Sequence, residues 1–472
     1  MKETPAAPIS VSLLEAPASA DTGGAQPEAQ GPAQAALAMT SSCASAARPF
    51  RVLILDNVIV NAGDAAILLA MKGSLEATFG PQTVVHSGFS GPLPEPGIYR
   101  TFYPELTFVP TLANAAYTWI ETGLWPRLVR KTALKRFLWS ARTGLPLLLP
   151  RERQLLREYR EADLIVVSGG ACLSTSWTSP RARKERIAKY RLALALGKPL
   201  VFYAMSVGPF VPDDPLPGML RPVMERAAAI LCRDAESVRV VREQVGVKAQ
   251  NVHQTIDEAL LLAPRPPQNP LAPPRKRPLR LGICVHQWHW LGDSDPERRQ
   301  RDFEGRMAAV CRSLLERHAA ELVFLTTHQG VAGIQQDDDV SQRIWEQLPA
   351  DLQPYAHVLH EFVRPDEFAY FMGQCDLVLS SRLHGGILGL VGGAPILALE
   401  YEPKTRGLMR QLDLEDCVLS MRDSSAEEIL RRMEAMLRDL PETKRRHRAA
   451  LERGQALARR NCEIVRAALR HR

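Results

Sequence analysis

The chain has 472 residues, 46% of them hydrophobic, 6% aromatic and 24% charged, a length for two or three ordinary domains and a composition too apolar for wholesale disorder yet too charged for a multi-span membrane protein. Its 59 Lys and Arg against 52 Asp and Glu leave a net charge of +7, which suits an anionic ligand or lipid surface and is too small to specify nucleic acid. The eight cysteines (Cys43, Cys172, Cys232, Cys284, Cys311, Cys375, Cys417, Cys462) show no CxxC pair and no Cys/His cluster at zinc spacing, so reduced, mostly buried thiols and no metal site are expected.

Residues 1–48 are rich in Ala, Pro, Gly, Ser and Gln and read as a disordered tail. Their opening lacks the charged start and apolar core of a secretory signal, so a cytoplasmic location is expected. Order begins at Phe50. RVLILD reads as a buried strand, followed by the turn-like NVIVNAGDAAI and a helical pattern through Leu68, Leu69 and Leu75. In that first strand-to-helix loop stand Asn61, Gly63 and Asp64; glycine permits close approach, and Asp64 either caps the helix or accepts a hydroxyl proton. From Thr122 to Arg151 there is no acid, and Arg127, Arg130, Lys131, Lys135, Arg136, Arg142 and Arg151 interleave with Trp125, Phe137 and Trp139. Such a stretch suits an interfacial helix on anionic lipid, and equally a helix packed on its own domain.

The strand-loop-helix grammar recurs at ADLIVVSGGACLS, with Gly169 and Gly170 in a flexible loop, at KPLVFYAMSVGPF, and at AAILCRD, where Arg233 can meet an anion and Asp234 can cap. Asp257 in TIDEALLL reads as a structural carboxylate. Between Ala263 and Arg280 seven prolines and no acid mark a semi-rigid connector. Beyond it the grammar returns at LRLGICVHQWHW, AELVFLTTHQG and CDLVLSSRLHGGILGLVGG. His286, His289 and His328 follow strands and read as substrate contacts or packing; Asp337, Asp338 and Asp339 read as a solvated helix start. Short apolar runs alternating with helices predict parallel sheets covered on both faces. The expected organisation is a tail (1–48), an α/β domain (49–262), a Pro-rich linker (263–278), a second α/β domain (279–422) and a basic helical tail (423–472) suited to clamp the two. Two Rossmann-like domains facing each other leave a cleft lined by strand-end loops.

In LVLSSRLHGG an apolar strand delivers Arg382 and His384 into a Gly-rich turn. Gly385 and Gly386 let a ligand approach the backbone, Arg382 can grip carboxylate or phosphate, and His384 titrates near neutrality. The bland alternative, Arg382 paired with a structural carboxylate and His384 capping the turn, is equally open at this level. Downstream, Tyr401 and Lys404 follow another strand, and a lysine there can hold a phosphate as a point charge; Arg406 and Arg410 read as surface charges.

As a set, N-x-GD-x-AI at Asn61 to Ile67, the glycine pair at Gly169, SVGP at Ser206, RD-x-ES at Arg233, D-x-A at Asp257, SRLHG at Ser381 and Y-x-x-K at Tyr401 resemble the polysaccharide pyruvyl transferase family over residues 50–415. The family often has a third glycine where Ala171 stands and a proline where Glu258 stands. The resemblance implies a two-domain fold like that of GT-B glycosyltransferases, no redox cofactor, phosphoenolpyruvate as co-substrate, and as acceptor a sugar hydroxyl pair on a glycan or lipid-linked oligosaccharide. Carried onto matching positions, it makes His384 the acid that protonates the donor's methylene carbon and Asp64 the acceptor-side base. Arg382, Gly385, Arg233, Lys404 and Tyr401 fall on the donor side, and Asn61, Gly169 and Gly170 on the acceptor side. Two other functions stay open: a nucleotide-sugar glycosyltransferase of the same fold, and a non-catalytic glycan-binding protein peripheral to the inner face of the cell membrane.

Overall fold

The structure is a computed structural model that describes residues 48–57, 59, 61–80, 83–89, 101–109, 136–140, 143–144, 148, 150–175, 180–287, 295–327 and 337–470. Expectations for the tail, for residues 122–135 of the basic stretch, and for His289 and His328 fall outside the described residues. All the described secondary structure lies in the unit Pro49–Arg472.

Runs of Val, Leu and Ile become parallel strands buried on both faces. β1 (Arg51–Asn57) buries six of its seven residues, and in LVFYAMSV every position is buried. The first sheet also contains β2 (Val84–Phe89), β3 (Thr107–Val109), β4 (Leu164–Val167), β5 (Gly170–Leu173), β6 (Leu200–Val207), β7 (Ala229–Cys232) and β8 (Val252–Gln254), in the order β3-β2-β1-β4-β6-β7-β8 with β5 on β6. The second contains β9 (Leu279–Cys284), β10 (Ala320–Phe324), β11 (Ala356–Val358), β12 (Leu377–Ser380), β13 (Ile396–Glu400) and β14 (Val418–Ser420), in the order β11-β10-β9-β12-β13-β14. Each sheet has one place where the chain leaves in opposite directions from neighbouring strands: β1/β4 in the first, β9/β12 in the second. Such switch points open a crevice beyond the strands' carboxyl ends. The loops at these points hold Asn61 to Asp64, Ser168 to Gly170, His286, and Ser381 to His384.

The helices are α1 (Ala62–Phe79), α2 (Pro150–Glu161), α3 (Pro180–Ala195), α4 (Leu216–Met224), α5 (Ala235–Val240), α6 (Pro296–Arg317), α7 (Asp337–Glu346), α8 (Pro365–Met372), α9 (Leu383–Gly392), α10 (Pro403–Gln411), α11 (Ala426–Arg438) and α12 (Leu440–Arg470). One apolar core runs without a break from Ile54 and Leu68 in the first lobe, through Val465 on α12, to Leu281 and Leu377 in the second; a second core fills the far face of the first sheet. The Pro-rich connector carries neither helix nor strand over 263–278.

The 31-residue α12 spans both lobes. Toward the second, His447 Nε2 meets Ile396 O at 3.2 Å and Arg453 donates to Leu412 O at 2.7 Å. Toward the first, Gln455 donates to Leu260 O at 3.2 Å and Asn461 to Glu258 Oε2 at 2.7 Å. Gly454 permits this: a β-carbon there would lie 2.8 Å from Leu412 Cδ2 and 3.0 Å from Leu260 Cδ1. The helical tail is thus a strap across both lobes. The described end of the basic stretch packs on the first lobe. There Phe137 is buried edge-on to Tyr159, Arg136 donates to Glu152 at 2.6 Å, and Trp139 is exposed. Cys232, Cys284, Cys311, Cys375, Cys417 and Cys462 are buried free thiols.

Candidate active site

The helix start after β1 is made by Asn61, whose extended backbone lets its Oδ1 accept from Gly63 N at 2.8 Å. Asn61 is the cap, which releases Asp64 from that role. The Asp64 carboxylate turns toward Gly170: a β-carbon there would lie 2.8 Å from Asp64 Oδ1, at a φ of +113° that glycine adopts freely. Gly169 serves packing instead, since a β-carbon would stand 3.0–3.1 Å from Ile67, Ala204 and Tyr203. Burial raises the Asp64 carboxyl above its ordinary value, against the opposing charges of His384, Arg233 and Lys404. These four side chains therefore share one electrostatic neighbourhood.

Arg233, the residue after β7, is buried. Its Nε donates to Ser206 Oγ at 2.8 Å and its Nη1 to Asp257 Oδ2 at 2.6 Å. Ser206 donates on to Asp234 Oδ2 at 2.9 Å, and Asp234 Oδ1 caps α5 by accepting from Ser237 N at 2.6 Å. The other Asp257 oxygen accepts from Ala259 N at 3.0 Å. Burial works against the Asp257 charge, but Arg233 and His384 hold its carboxyl well below the usual range. Arg233 is thus a buried anchor for Asp257.

The second lobe contributes His384, in the first turn of α9. Its Nε2 lies 3.4 Å from Asp257 Oδ2 of the first lobe. Its Nδ1 edge faces the start of α1, where a β-carbon on Gly63 would lie only 2.2 Å from Nδ1. Beside this contact Ala62 N donates to Thr327 O of the second lobe at 2.7 Å. The imidazole is therefore seated between the lobes.

One expectation needs correction here. Asp337 is not solvated: it is completely buried, and its carboxylate takes Arg382 Nε at 2.9 Å and Nη2 at 2.5 Å. A two-pronged partner for a buried guanidinium outweighs the few tenths of a kcal/mol that a helix dipole gives a solvated acid. Arg382 is consequently paired with a carboxylate of its own lobe through Nε and Nη2, the arrangement the sequence left open as the alternative to a donor grip. Gly385 lies close against the end of its own sheet. A β-carbon there would come within 2.5 Å of Cys284 Sγ and Ser380 Oγ, so the glycine lets α9 settle onto its sheet.

His286 Nδ1 lies 2.7 Å from Ser381 Oγ and its ring meets that of Tyr401 at a tilt, centroids 4.2 Å apart, tying the ends of β9, β12 and β13 together. Lys404 pairs with Glu402, and its Nζ lies 5.6 Å from the Tyr401 ring centroid. Arg406 and Arg410 pair with Glu400 and Glu415. Asp257 is the site residue whose role local sequence understated, and Asp337 the one it misplaced. Asp257 stood in a quoted motif, whereas Asp337 lies 45 residues from its partner with no local signal. Cavities of about 640 and 1180 Å³ lie under α12 and beside the Pro-rich segment, and none of the residues just described lines either. Among the described residues no group of three or more His, Cys, Asp or Glu is placed to hold a metal ion, and no helix is long and apolar enough to cross a membrane.

Two parallel α/β sheets, each with its switch-point loops turned toward one imidazole, define a two-lobed architecture of the GT-B type. It is similar to a glycosyltransferase from Rickettsia africae (TM-score 0.53, 11% identity, 89% of this chain and 99% of that one). It is similar also to UDP-GlcNAc 2-epimerase from Neisseria meningitidis (TM-score 0.52, 11% identity, 90% and 100%); at such identity the likeness is one of fold. The chain belongs to the polysaccharide pyruvyl transferase family, whose profile matches residues 61–403, from the α1 cap to the start of α10. A curated relative, the amylovoran biosynthesis protein AmsJ of Erwinia amylovora, is 22% identical over 422 residues, covering 86% of this chain and 96% of that protein.

Proposed function

We propose that the protein moves the pyruvyl group of phosphoenolpyruvate onto two hydroxyls of a sugar in a surface polysaccharide or its lipid-linked precursor, forming a cyclic ketal and releasing phosphate. The observation that carries the reading is the seat of His384: an imidazole brought by one lobe against the helix start of the other, within electrostatic reach of Asp64, Arg233 and Lys404. Membership of the family and the role of AmsJ in the biosynthesis of a polysaccharide support the class of acceptor.

His384 gives a proton to the methylene carbon. The double-bond pair takes it up and leaves an oxocarbenium-like centre at the next carbon. The first sugar hydroxyl attacks there, its proton passing to Asp64, whose affinity for a proton burial raises. The carbon–oxygen bond to phosphate then breaks, the second hydroxyl closes the ketal, and its proton leaves with the phosphate. Lys404, half-buried beside Tyr401, and the buried charge of Arg233 offset the donor's negative charge. A seat closed by both lobes keeps water from the cation.

The test is phosphate release from phosphoenolpyruvate on adding candidate glycan acceptors. The wild-type protein should release phosphate only with an acceptor, and His384→Ala should lower the rate by about 10²–10⁴-fold, the range of a lost general acid. Calorimetric titration that finds tight binding to nucleotide sugars and none to phosphoenolpyruvate would replace this reading with a glycosyltransferase.

A further inference from the structure

We infer that His384 works through Nδ1, with Nε2 permanently protonated and held by Asp257, so that Asp257 is a positioning residue supplied by the opposite lobe; this rests on the pyruvyl-transfer reading above. Nε2 is shut off from solvent and has no hydrogen-bond partner within normal geometry. A buried nitrogen in that state must be satisfied by its surroundings. What stands 3.4 Å away is Asp257 Oδ2, an oxygen that only accepts. A lone pair on Nε2 would face a carboxylate and be repelled, whereas an N–H there is attracted, and a small approach completes the bond. Asp257 cannot swing aside, because Arg233 holds one oxygen at 2.6 Å and Ala259 N the other at 3.0 Å.

The opposite ring edge is in a different environment. Nδ1 faces the first turn of α1, where the amides of Ala62 and Gly63 are spent on Thr327 O and Asn61 Oδ1. In the neutral ring Nδ1 then carries the lone pair, and it is the atom that gains and gives the proton. In the transfer the Nδ1–H bond breaks and a C–H bond forms at the methylene carbon. The electron pair of the former bond stays on Nδ1, and the ring is left neutral with its Nε2–H intact. The donor's methylene carbon would meet Nδ1 on the ring edge that faces Gly63.

The experiment is ¹⁵N–¹H long-range NMR of the imidazoles in the full chain labelled at histidine, with the His384 signals assigned by their loss in His384→Gln. It is combined with kinetics of Asp257→Asn and Asp257→Glu. We expect the Nε2–H pattern for neutral His384 in the wild-type protein and its redistribution in Asp257→Asn. In that variant kcat should fall about 100-fold or more while KM for phosphoenolpyruvate stays within about threefold, as for loss of a tautomer-fixing carboxylate, and Asp257→Glu should recover part of kcat. An Nδ1–H pattern in the wild-type protein overturns the inference, and so does an unchanged kcat in a folded Asp257→Asn. The wild-type spectrum decides even if the variant does not fold. Failure of the function itself would appear separately, as no phosphate release with any acceptor.

Discussion

At position 63 a single methyl group would stand 2.2 Å from His384 Nδ1, far inside contact distance, so the imidazole's seat exists because that residue has no side chain. Alanine is otherwise the better helix former there by up to about 1 kcal/mol. Gly63→Ala should therefore lower turnover by at least tenfold while leaving the melting temperature within a few degrees of wild type; comparing rate with calorimetric Tm checks this. Equal loss of both would mean that the contact serves packing alone. Arg382 is a poorer probe of catalysis. Removing one partner of a buried ion pair costs about 3–5 kcal/mol, so an inactive Arg382 variant reports on folding as much as on the donor.

α12 docks on the first lobe through a buried carboxyl group. Glu258 accepts from Asn461 at 2.7 Å, and burial pushes its carboxyl up to about 7 against the opposing effect of that hydrogen bond. The folded protein thus holds this proton where the unfolded chain, with Glu near 4.3, has released it. Stability from this group is fully present below about 4.3, falls as pH rises toward 7, and is level above. The wild-type Tm should decline across that window more steeply than that of Glu258→Gln, which keeps a neutral amide throughout. Parallel pH profiles of the two Tm values would remove Glu258 as the source.

Across the whole molecule the two lobes share a core and are sewn together on several sides. Arg364 of the second lobe donates to Glu105 Oε1 of the first at 2.6 Å, Gln411 donates to Arg233 O at 2.9 Å, and α12 crosses both. A single cooperative unfolding transition is expected for such a body. Deleting residues 440–470 would strip the strap from both lobes and uncover Leu260 and Leu412, against which Gly454 packs. We expect the truncated chain to show a lower Tm and two resolved calorimetric transitions. One transition at the original temperature would mean that the strap adds nothing.

Sequence alone determined the elements. Both-face burial of β1 and β6 was legible in RVLILD and LVFYAMSV, and the connector in its prolines, because apolar runs and φ-restricting residues act through the backbone within a few positions. The order of motifs was likewise enough to indicate the family. Tertiary structure decided which charges meet. Arg382 found Asp337 and His384 found Asp257, because partners at strand ends are chosen by sheet order and lobe packing. Gly63 and Gly385 read as freedom for a ligand and proved to be room for an imidazole and for a helix on its sheet. A glycine in sequence announces that something comes close, and only the folded chain says what.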